Sequence, residues 1–488
     1  MLPYQTLITI DTEQKTAIYE QIAIQLVNLI VSGKIPAGSK LPSSRVLAAL
    51  LNFHRKTIVA AYEELLVQGW ISSKSKSGYY VNTDLGAFSI SKKLVATSNY
   101  PDKSPVQLKE QFPPPTTISN RQATLFIDDG LPDARIAPYK SLLRELKTVA
   151  EREYLLKGTN YGTVYPSSRL KDALVPHLAN SRGINHRPAN LLITNGAQMG
   201  IYLIGKALIS PGDVFLVGYP GYSIAKLSLE SNGARTIDVP VDAEGIDVGR
   251  IEELCRQEKV KGVYVIPHHH YPTTAMLSPE RRNRLLDLSN RYNFVIIEDD
   301  YDFDFHYSAA PYLPMASYNH GGRVIYVGSL SKCFSPSVRL GFVVGPEELI
   351  HALGHIRKSI DIRGDMLMEH ALAALFENGD MDRHLRKSNK LYWERRDYMC
   401  RQLDTHLSEV LSYQVPSGGM AIWLTFSRAY AVRQIAHSLR KQGILFNNIV
   451  FDEAGLNSIR LGFAALNFQE IDSCIKGIQT AIIQYGSL

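Results

Sequence analysis

A lysine, a run of carboxylates and a set of hydroxyls fall at the ends of two apolar runs. What they can do depends on those runs being strands. Phe294-Val295-Ile296-Ile297 leads into Glu298-Asp299-Asp300-Tyr301-Asp302, and Arg323-Val324-Ile325-Tyr326-Val327 leads into Gly328-Ser329-Leu330-Ser331-Lys332, with Arg339 close behind. Short apolar runs closed by polar residues are how an open α/β sheet delivers ligand groups at its strand ends. The 33 residues from Asp299 to Lys332 leave room for one connection and one further strand, so both clusters are expected to line one cleft. An amine for a Schiff base, a carboxylate to keep a pyridine nitrogen protonated, a donor to a ring oxygen and donors to a phosphate together suit pyridoxal phosphate. Lys332, Asp299, Tyr301 and the set Ser329, Ser331 and Arg339 are the residue types for those four jobs. Either cluster alone reads equally well as a solvated acidic turn or a surface lysine; together they favour the cofactor.

Pro267-His268-His269-His270-Tyr271-Pro272-Thr273, Glu298-Asp299-Asp300-Tyr301-Asp302, Gly328-Ser329-Leu330-Ser331-Lys332 and Arg339-Leu340-Gly341-Phe342 stand in one order along the chain. In that order and spacing they resemble the motifs of fold-type I aminotransferases. More narrowly, they resemble the aminotransferase-like half of the MocR family, bacterial regulators that fuse a GntR-type winged helix to this fold. The likeness runs from about Ile18 to Ile471 with one linker gap. It implies a multidomain chain: a small α+β winged helix-turn-helix domain over residues 1–83, a proline-containing linker over 84–123, and a large α/β aminotransferase-like, pyridoxal phosphate-binding domain over 124–488.

Composition agrees with that organisation. At 488 residues the chain favours a large domain plus a small one. Its 45% apolar and 20% charged content is ordinary for globular proteins. A net charge of +6 permits a nucleic-acid partner without demanding one. Residues 1–83 carry eight Lys and Arg against five Asp and Glu, half of the whole excess. Cys255, Cys333, Cys400 and Cys474 are isolated, which suggests neither a disulfide scaffold nor a structural zinc site. No secretory signal opens Met1-Leu2-Pro3-Tyr4-Gln5, and no apolar run reaches membrane-spanning length. A soluble, cytoplasmic protein without membrane contact is expected.

In the first eighty residues, Ile18, Ile22, Leu26, Leu29 and Ile30 recur at helical spacing, and Ser32-Gly33 ends that helix. Pro42-Ser43-Ser44-Arg45 places a serine cap before a second short helix, Val46 to Leu51. After a tight turn, a third helix, about Arg55 to Gln68, turns Ile58, Ala61, Leu65 and Leu66 inward. Such a pair of helices is a helix-turn-helix, although a three-helix oligomerisation module fits the same pattern. If it binds DNA, Arg55, Lys56 and Thr57 meet the major groove, and Ser44 and Arg45 reach the backbone. The Gly69-to-Lys74 and Tyr79-to-Val81 strands form a wing whose Lys74 and Lys76 are candidates for phosphate or minor-groove contact. Resemblance to the GntR-type winged helix, through Gly38-Ser39-Lys40-Leu41-Pro42-Ser43-Ser44-Arg45 and Ala61-Tyr62-Glu63-Glu64-Leu65-Leu66-Val67-Gln68-Gly69, implies double-stranded DNA, an operator upstream of the chain's own or neighbouring genes. Between Asn82 and Ala123, Pro101, Pro105 and Pro113-Pro114-Pro115 punctuate a polar stretch that reads as a semi-extended linker.

In the large domain, the strand Leu191-to-Asn195 precedes Gly196-Ala197-Gln198, which opens a helix reaching Ile209. Free N–H groups at such a start suit a phosphate. The resemblance assigns that contact to Ala197 and Gln198 and assigns Tyr222 to stacking on the cofactor ring. It also implies that Tyr161 crosses to the phosphate of a partner subunit in a head-to-tail homodimer, and that Arg460 receives the carboxylate of an amino-acid effector. A guanidinium suits that task because it makes two parallel charge-assisted bonds; an ordinary surface salt bridge is the rival role. Departures from the motif set are Pro166 and Thr274 where glycines are usual, Tyr271 where an asparagine is usual, and Gly218 where an acidic residue is common. His268-His269-His270 is not expected to bind metal, since neighbours on an extended segment point to opposite sides. The reading is therefore a cofactor-dependent transcriptional regulator sensing an amine, an amino acid or pyridoxal phosphate itself. The alternative is a working aminotransferase acting on an amino acid with a keto-acid acceptor; the regulator reading leaves room for a slow transamination half-reaction as a by-product. A degenerate fold kept only for dimerisation would have lost Lys332 or Asp299, and both are present.

Overall fold

In the computed structural model the apolar spacing of the first eighty residues becomes a small helical core. Ile22, Leu26, Leu29 and Ile30 line the buried face of helix Ile18–Val31. Helix Arg55–Val67 buries Ile58, Ala61, Tyr62 and Leu65 against it; Tyr62 takes the place expected of Leu66, which is only half-buried. The helix between them spans Ser44–Leu51 and starts two residues earlier than its apolar pattern suggested, because Ser43 is the cap and its side chain accepts from Val46 N. That cap contributes about 1 kcal/mol. Asn52 leaves this helix in the left-handed region at φ 55° and makes the tight turn. Strands Ile71–Lys74 and Gly78–Val81 pair antiparallel as the wing. A short helix, Tyr4–Leu7, which had no periodic signal, tucks Tyr4 into the same core.

The structure describes residues 2–11, 16–74, 77–83, 106–107, 123–151, 168–307, 312–446, 449–452 and 455–485. Nearly all of the expected linker, together with Lys76, Tyr161 and Pro166, lies outside them. The chain divides into two units, residues 1–116 and 117–488.

The second unit is built on an eight-stranded sheet in the order Leu191–Thr194, Gly341–Val344, Val324–Ser329, Val295–Asp300, Val260–Val265, Val214–Tyr219, Arg235–Asp242, Gly245–Ile246. The five strands from Val324–Ser329 to Arg235–Asp242 run parallel, and Gly341–Val344 is antiparallel to both its neighbours. Most of these strands are apolar along their whole length because helices pack on both faces. The two apolar runs that flagged the site are adjacent here, with Val327 opposite Asp299. A separate four-stranded antiparallel sheet, ordered Leu411–Tyr413, Ala421–Phe426, Ser458–Gly462, Val450–Phe451, carries its own core with the long helix Asp380–Leu407 and helix Phe468–Tyr485. Strand Leu125–Ile127 runs parallel to Ile444–Phe446, which brings residues 128–130 to the edge of this second sheet. No helix among the described residues is long and apolar enough to cross a membrane.

Candidate functional site

In the first unit, five of the residues expected to face DNA stand on the two helices of the helix-turn-helix. Arg45, Arg55 and Lys56 are exposed, Ser44 and Thr57 half-buried. Arg55 Nε reaches Ser44 Oγ at 3.4 Å, so the first turn of helix Arg55–Val67 meets the first turn of the preceding helix. The side chain of His54 caps the longer helix by accepting from Lys56 N. On the wing, Lys74 Nζ lies 4.9 Å and Lys40 Nζ 5.8 Å from the centroid of the Tyr80 ring. Lys40 and Tyr80 were not singled out from sequence, although Lys40 stands inside the quoted motif.

In the second unit the parallel strands end together. Asp299 is 3% exposed at the end of its strand, and Oδ2 accepts from Tyr264 OH at 2.6 Å. Oδ1 is buried and has no hydrogen-bond partner among the described residues. Burial pushes this carboxyl up to about 7; Tyr264 OH holds it down, while Asp300 and Asp302 add to the rise. A buried acceptor without a donor costs a few kcal/mol unless a ligand supplies the donor. A pyridinium N–H is such a donor. Lys332 follows the next strand in the turn Leu330–Cys333, and Nζ donates to Gly130 O at 2.7 Å. Burial pushes its ammonium below the usual lysine range, against the pull of Asp129. A readily deprotonated amine suits carbonyl chemistry.

Three strand ends meet beside Lys332. Ser329 pairs with Gly341, and Gly341 with Thr194, so the Lys332 turn lies close to the N-terminus of helix Ala197–Leu208. Gly196, at φ 81°, precedes that helix and offers no side-chain cap, which leaves its first N–H groups available. A Cβ at Gly341 would stand 2.6 Å from the Gly196 carbonyl carbon, so only glycine lets these strands close up. The exposed Arg339 guanidinium packs against Gly196, and Nη2 reaches Asn195 O at 3.4 Å. Ser331 Oγ is buried without a hydrogen-bond partner among the described residues, and Ser329 Oγ accepts from Ser331 N. Gln198 turns its side chain away, to Ser228 Oγ at 2.5 Å, so it has only its backbone N–H to give an anion. The donors and the two orphaned atoms fit pyridoxal phosphate.

Tyr301 and Arg460 close the other wall. Tyr301 OH donates to His269 O at 2.8 Å, which commits its proton elsewhere than to a ring oxygen. Arg460 is 1% exposed and donates to Asp129 O, Pro272 O and Tyr301 OH at 2.7, 2.8 and 3.0 Å. It makes no ion pair with any described residue, which rules out the surface salt bridge that rivalled its assignment to the site. Tyr222 stands edge-on to Tyr271 with ring centroids 5.5 Å apart. Thr274 holds φ 61°, the left-handed conformation that a glycine adopts without strain. The three histidines have separate partners: His268 Nδ1 lies 3.2 Å from Asp300, His269 Nδ1 lies 2.7 Å from Asp302, and His270 Nε2 donates to Pro220 O at 2.9 Å. Burial holds His270 down to about 4, hence neutral.

Sequence reading missed several of these residues. Tyr264 was lost inside an apolar strand. Asp128-Asp129-Gly130, directly after the Leu125–Ile127 strand, carried the same apolar-then-acidic signal as Asp299 and was not weighed. Beneath Lys332, Cys333 Sγ and Arg182 Nη2 both bond Asp304 Oδ2 at 2.8 Å, and Arg182 Nε bonds Tyr326 OH at 2.9 Å. Tyr326 OH in turn donates to Asp300 at 2.9 Å. No local pattern could have joined residues this far apart in the chain.

Residues 140–478 match the family model described as aminotransferase class I and II, and residues 18–81 match bacterial regulatory proteins, gntR family. The chain is 27% identical over 482 residues to the probable rhizopine catabolism regulatory protein MocR of Rhizobium meliloti, covering 98% of this chain and 96% of that protein. It is 29% identical over 449 residues to the HTH-type transcriptional regulator NorG of Staphylococcus aureus, covering 91% and 99%. Among solved structures it is similar to Pyrococcus horikoshii kynurenine aminotransferase in complex with PMP, with TM-score 0.68, 28% identity, and coverage of 74% of this chain and 91% of that one. The multiple substrate aminotransferase of Thermococcus profundus matches at TM-score 0.68 and 27% identity, covering 75% and 92%.

Proposed function

Because the chain belongs to the aminotransferase class I and II family and opens with a gntR-type helix-turn-helix domain, we propose that it is a DNA-binding transcriptional regulator. Its aminotransferase-like domain holds pyridoxal phosphate and responds to an amine or to the cofactor itself. The observation that carries this reading is the pairing, within one chain, of an intact amine-and-carboxylate cleft with an exposed basic helix-turn-helix. Relatives named as regulators align across both parts. A pure enzyme has no use for the first unit.

When bound, pyridoxal phosphate supplies an aldehyde that condenses with amines and a ring that withdraws electrons. Lys332 would supply the amine that holds it, Asp299 the carboxylate for its ring nitrogen, and Tyr222 an aromatic flank. Ser329, Ser331, Arg339 and the backbone N–H groups of Ala197 and Gln198 would supply donors to its phosphate. Tyr161 of a second copy completes the phosphate site in a head-to-tail homodimer; exposed Tyr202, Ile224 and Leu227 on two neighbouring helices are an apolar face suited to that contact. An amine effector bound beside Lys332 would change the contacts of its Nζ with Gly130 O and its surroundings. Such a change biases DNA affinity only if the two states bind the amine unequally. Ser44, Arg45, Arg55, Lys56, Thr57, Lys74 and Lys76 are the proposed DNA contacts, and the cytoplasm is the proposed compartment.

The test is retention of DNA fragments upstream of the chain's own gene and its divergent neighbour, at several salt concentrations. Phosphate contacts alone give salt-sensitive, sequence-blind binding. Preference for one fragment that survives raised salt is expected. Equal binding of all fragments, with turnover of an amino acid and a keto acid, would move the assignment to an aminotransferase.

A further inference from the structure

Beside Lys332 and Arg460 the cleft wall carries a carboxylate that none of these roles uses. Asp129 lines a cavity of about 1160 Å³ together with Tyr222, Tyr271 and Phe451. Its Oδ2 accepts from Tyr271 OH at 3.1 Å, and its carboxylate makes no ion pair with any described residue. We propose that the amine sensed in this cleft carries a second, cationic nitrogen, as a diamine or polyamine does, and that Asp129 and the surrounding aromatic rings receive it. This rests on the cofactor and effector reading given above.

Three observations converge on that class. The first is what a ligand meets. Asp129 is half-buried and faces the cavity, whereas Arg460, the natural receptor for a carboxylate, is sealed off and commits three donors to Asp129 O, Pro272 O and Tyr301 OH. A carboxylate approaching Arg460 passes an anion and must displace protein acceptors. The second is the rings. Tyr271 stands edge-on to Tyr222 at 5.5 Å and to Phe451 at 6.2 Å. Aromatic faces grouped around a carboxylate favour an ammonium, through the ring quadrupole. Tyr271 already accepts one cation in this way, with the Arg460 guanidinium 5.0 Å from its centroid. The third is the surrounding charge. The cations closest in influence are Lys332, whose ammonium Asp129 pulls on and whose amine the cofactor would engage, and Arg460, committed to its three acceptors, while His270 is neutral, as its low pKa implies. At the mouth, Lys226 is paired with Asp238 at 2.7 Å and Arg433 with Asp452, while exposed Arg440 is open to solvent screening.

Cadaverine and δ-aminovalerate are the probes, since they place an ammonium or a carboxylate at the same reach from the same amine. Each is titrated into the full chain loaded with pyridoxal phosphate, reading the absorbance of the bound cofactor. Cadaverine is expected to act at a concentration lower by about tenfold, a difference of ~1.4 kcal/mol. Asp129→Asn should abolish that preference and Asp129→Glu should keep part of it. A response to δ-aminovalerate at equal or lower concentration, an unchanged preference in Asp129→Asn, or no response to either probe would overturn the inference. Absence of a bound-cofactor absorbance before any amine is added would instead refute the cofactor reading on which it stands.

Discussion

Replacing Asp299 by Asn should stabilise the cofactor-free fold at neutral pH while weakening its hold on the cofactor. Burial pushes this carboxyl up to about 7, so the folded chain keeps a proton that the unfolded chain, titrating near 4, has already released. A folded pKa raised above the unfolded one contributes stability that is complete at low pH and is lost as pH climbs to the folded value. Each pH unit in that window costs about 1.4 kcal/mol. From pH 5 to pH 7, where the folded carboxyl is half titrated, the wild-type chain therefore loses about 2 kcal/mol relative to the Asn variant, and the difference levels off above pH 7. Glu298, pushed up to about 8 chiefly by burial, adds a slope of the same sign to both proteins and cancels in the comparison. The assay is urea unfolding of both full-length, cofactor-free proteins from pH 5 to pH 8, followed by tryptophan fluorescence, to which Trp393 and Trp423 of the second unit contribute and Trp70 of the first adds a signal common to both proteins. Unfolding midpoints that run parallel over that range would refute the assignment of Asp299 as a strained, ligand-seeking carboxylate.

Three further outcomes follow from the same geometry. Lys332→Ala should leave the chain without cofactor absorbance after dialysis; retention equal to the wild type would show that another group holds it. Arg55→Ala removes an exposed cation at the start of the recognition helix, so operator affinity at moderate salt should fall by about tenfold, and unchanged affinity in a retention assay would exclude that surface. Ile58→Ala opens a cavity in the small core, where Ile58 is fully buried; a loss of about 2–4 kcal/mol is expected, read as selective loss of DNA binding with cofactor absorbance intact.

Much of this was legible in the sequence because the signals were local. The run from Phe294 to Asp302 joins strand and carboxylate in nine residues, and Ser329 to Lys332 joins strand and amine in fewer. The third helix of the small domain announced itself through Ile58, Ala61 and Leu65, while its reading as a DNA-contacting helix came from the resemblance to the GntR type. The gntR-type and aminotransferase-type architecture followed from those motifs. What stayed hidden depends on distance along the chain. Asp299 takes its hydrogen bond from Tyr264 on a neighbouring strand, and Lys332 donates to a carbonyl 202 residues away. The order of the eight strands decides the first contact, and the placement of strand Leu125–Ile127 beside Ile444–Phe446 decides the second; periodicity encodes neither. Arg460 was identified by its motif, yet its orientation toward protein carbonyls arises from the approach of residues 128–130 under the second sheet. Asp129 differs: its apolar-then-acidic run is local, and only its place beside Lys332 and Arg460 depends on strand Leu125–Ile127 lying beside Ile444–Phe446.

The most direct test of a link between cofactor and DNA is operator affinity measured for the wild type and Lys332→Ala side by side, each titrated with pyridoxal phosphate. Coupling between two sites is worth about 1–3 kcal/mol, so wild-type affinity should change by at least about fivefold while the variant stays constant. Equal shifts in both proteins, or none in either, would contradict a regulator that reads its cofactor through Lys332.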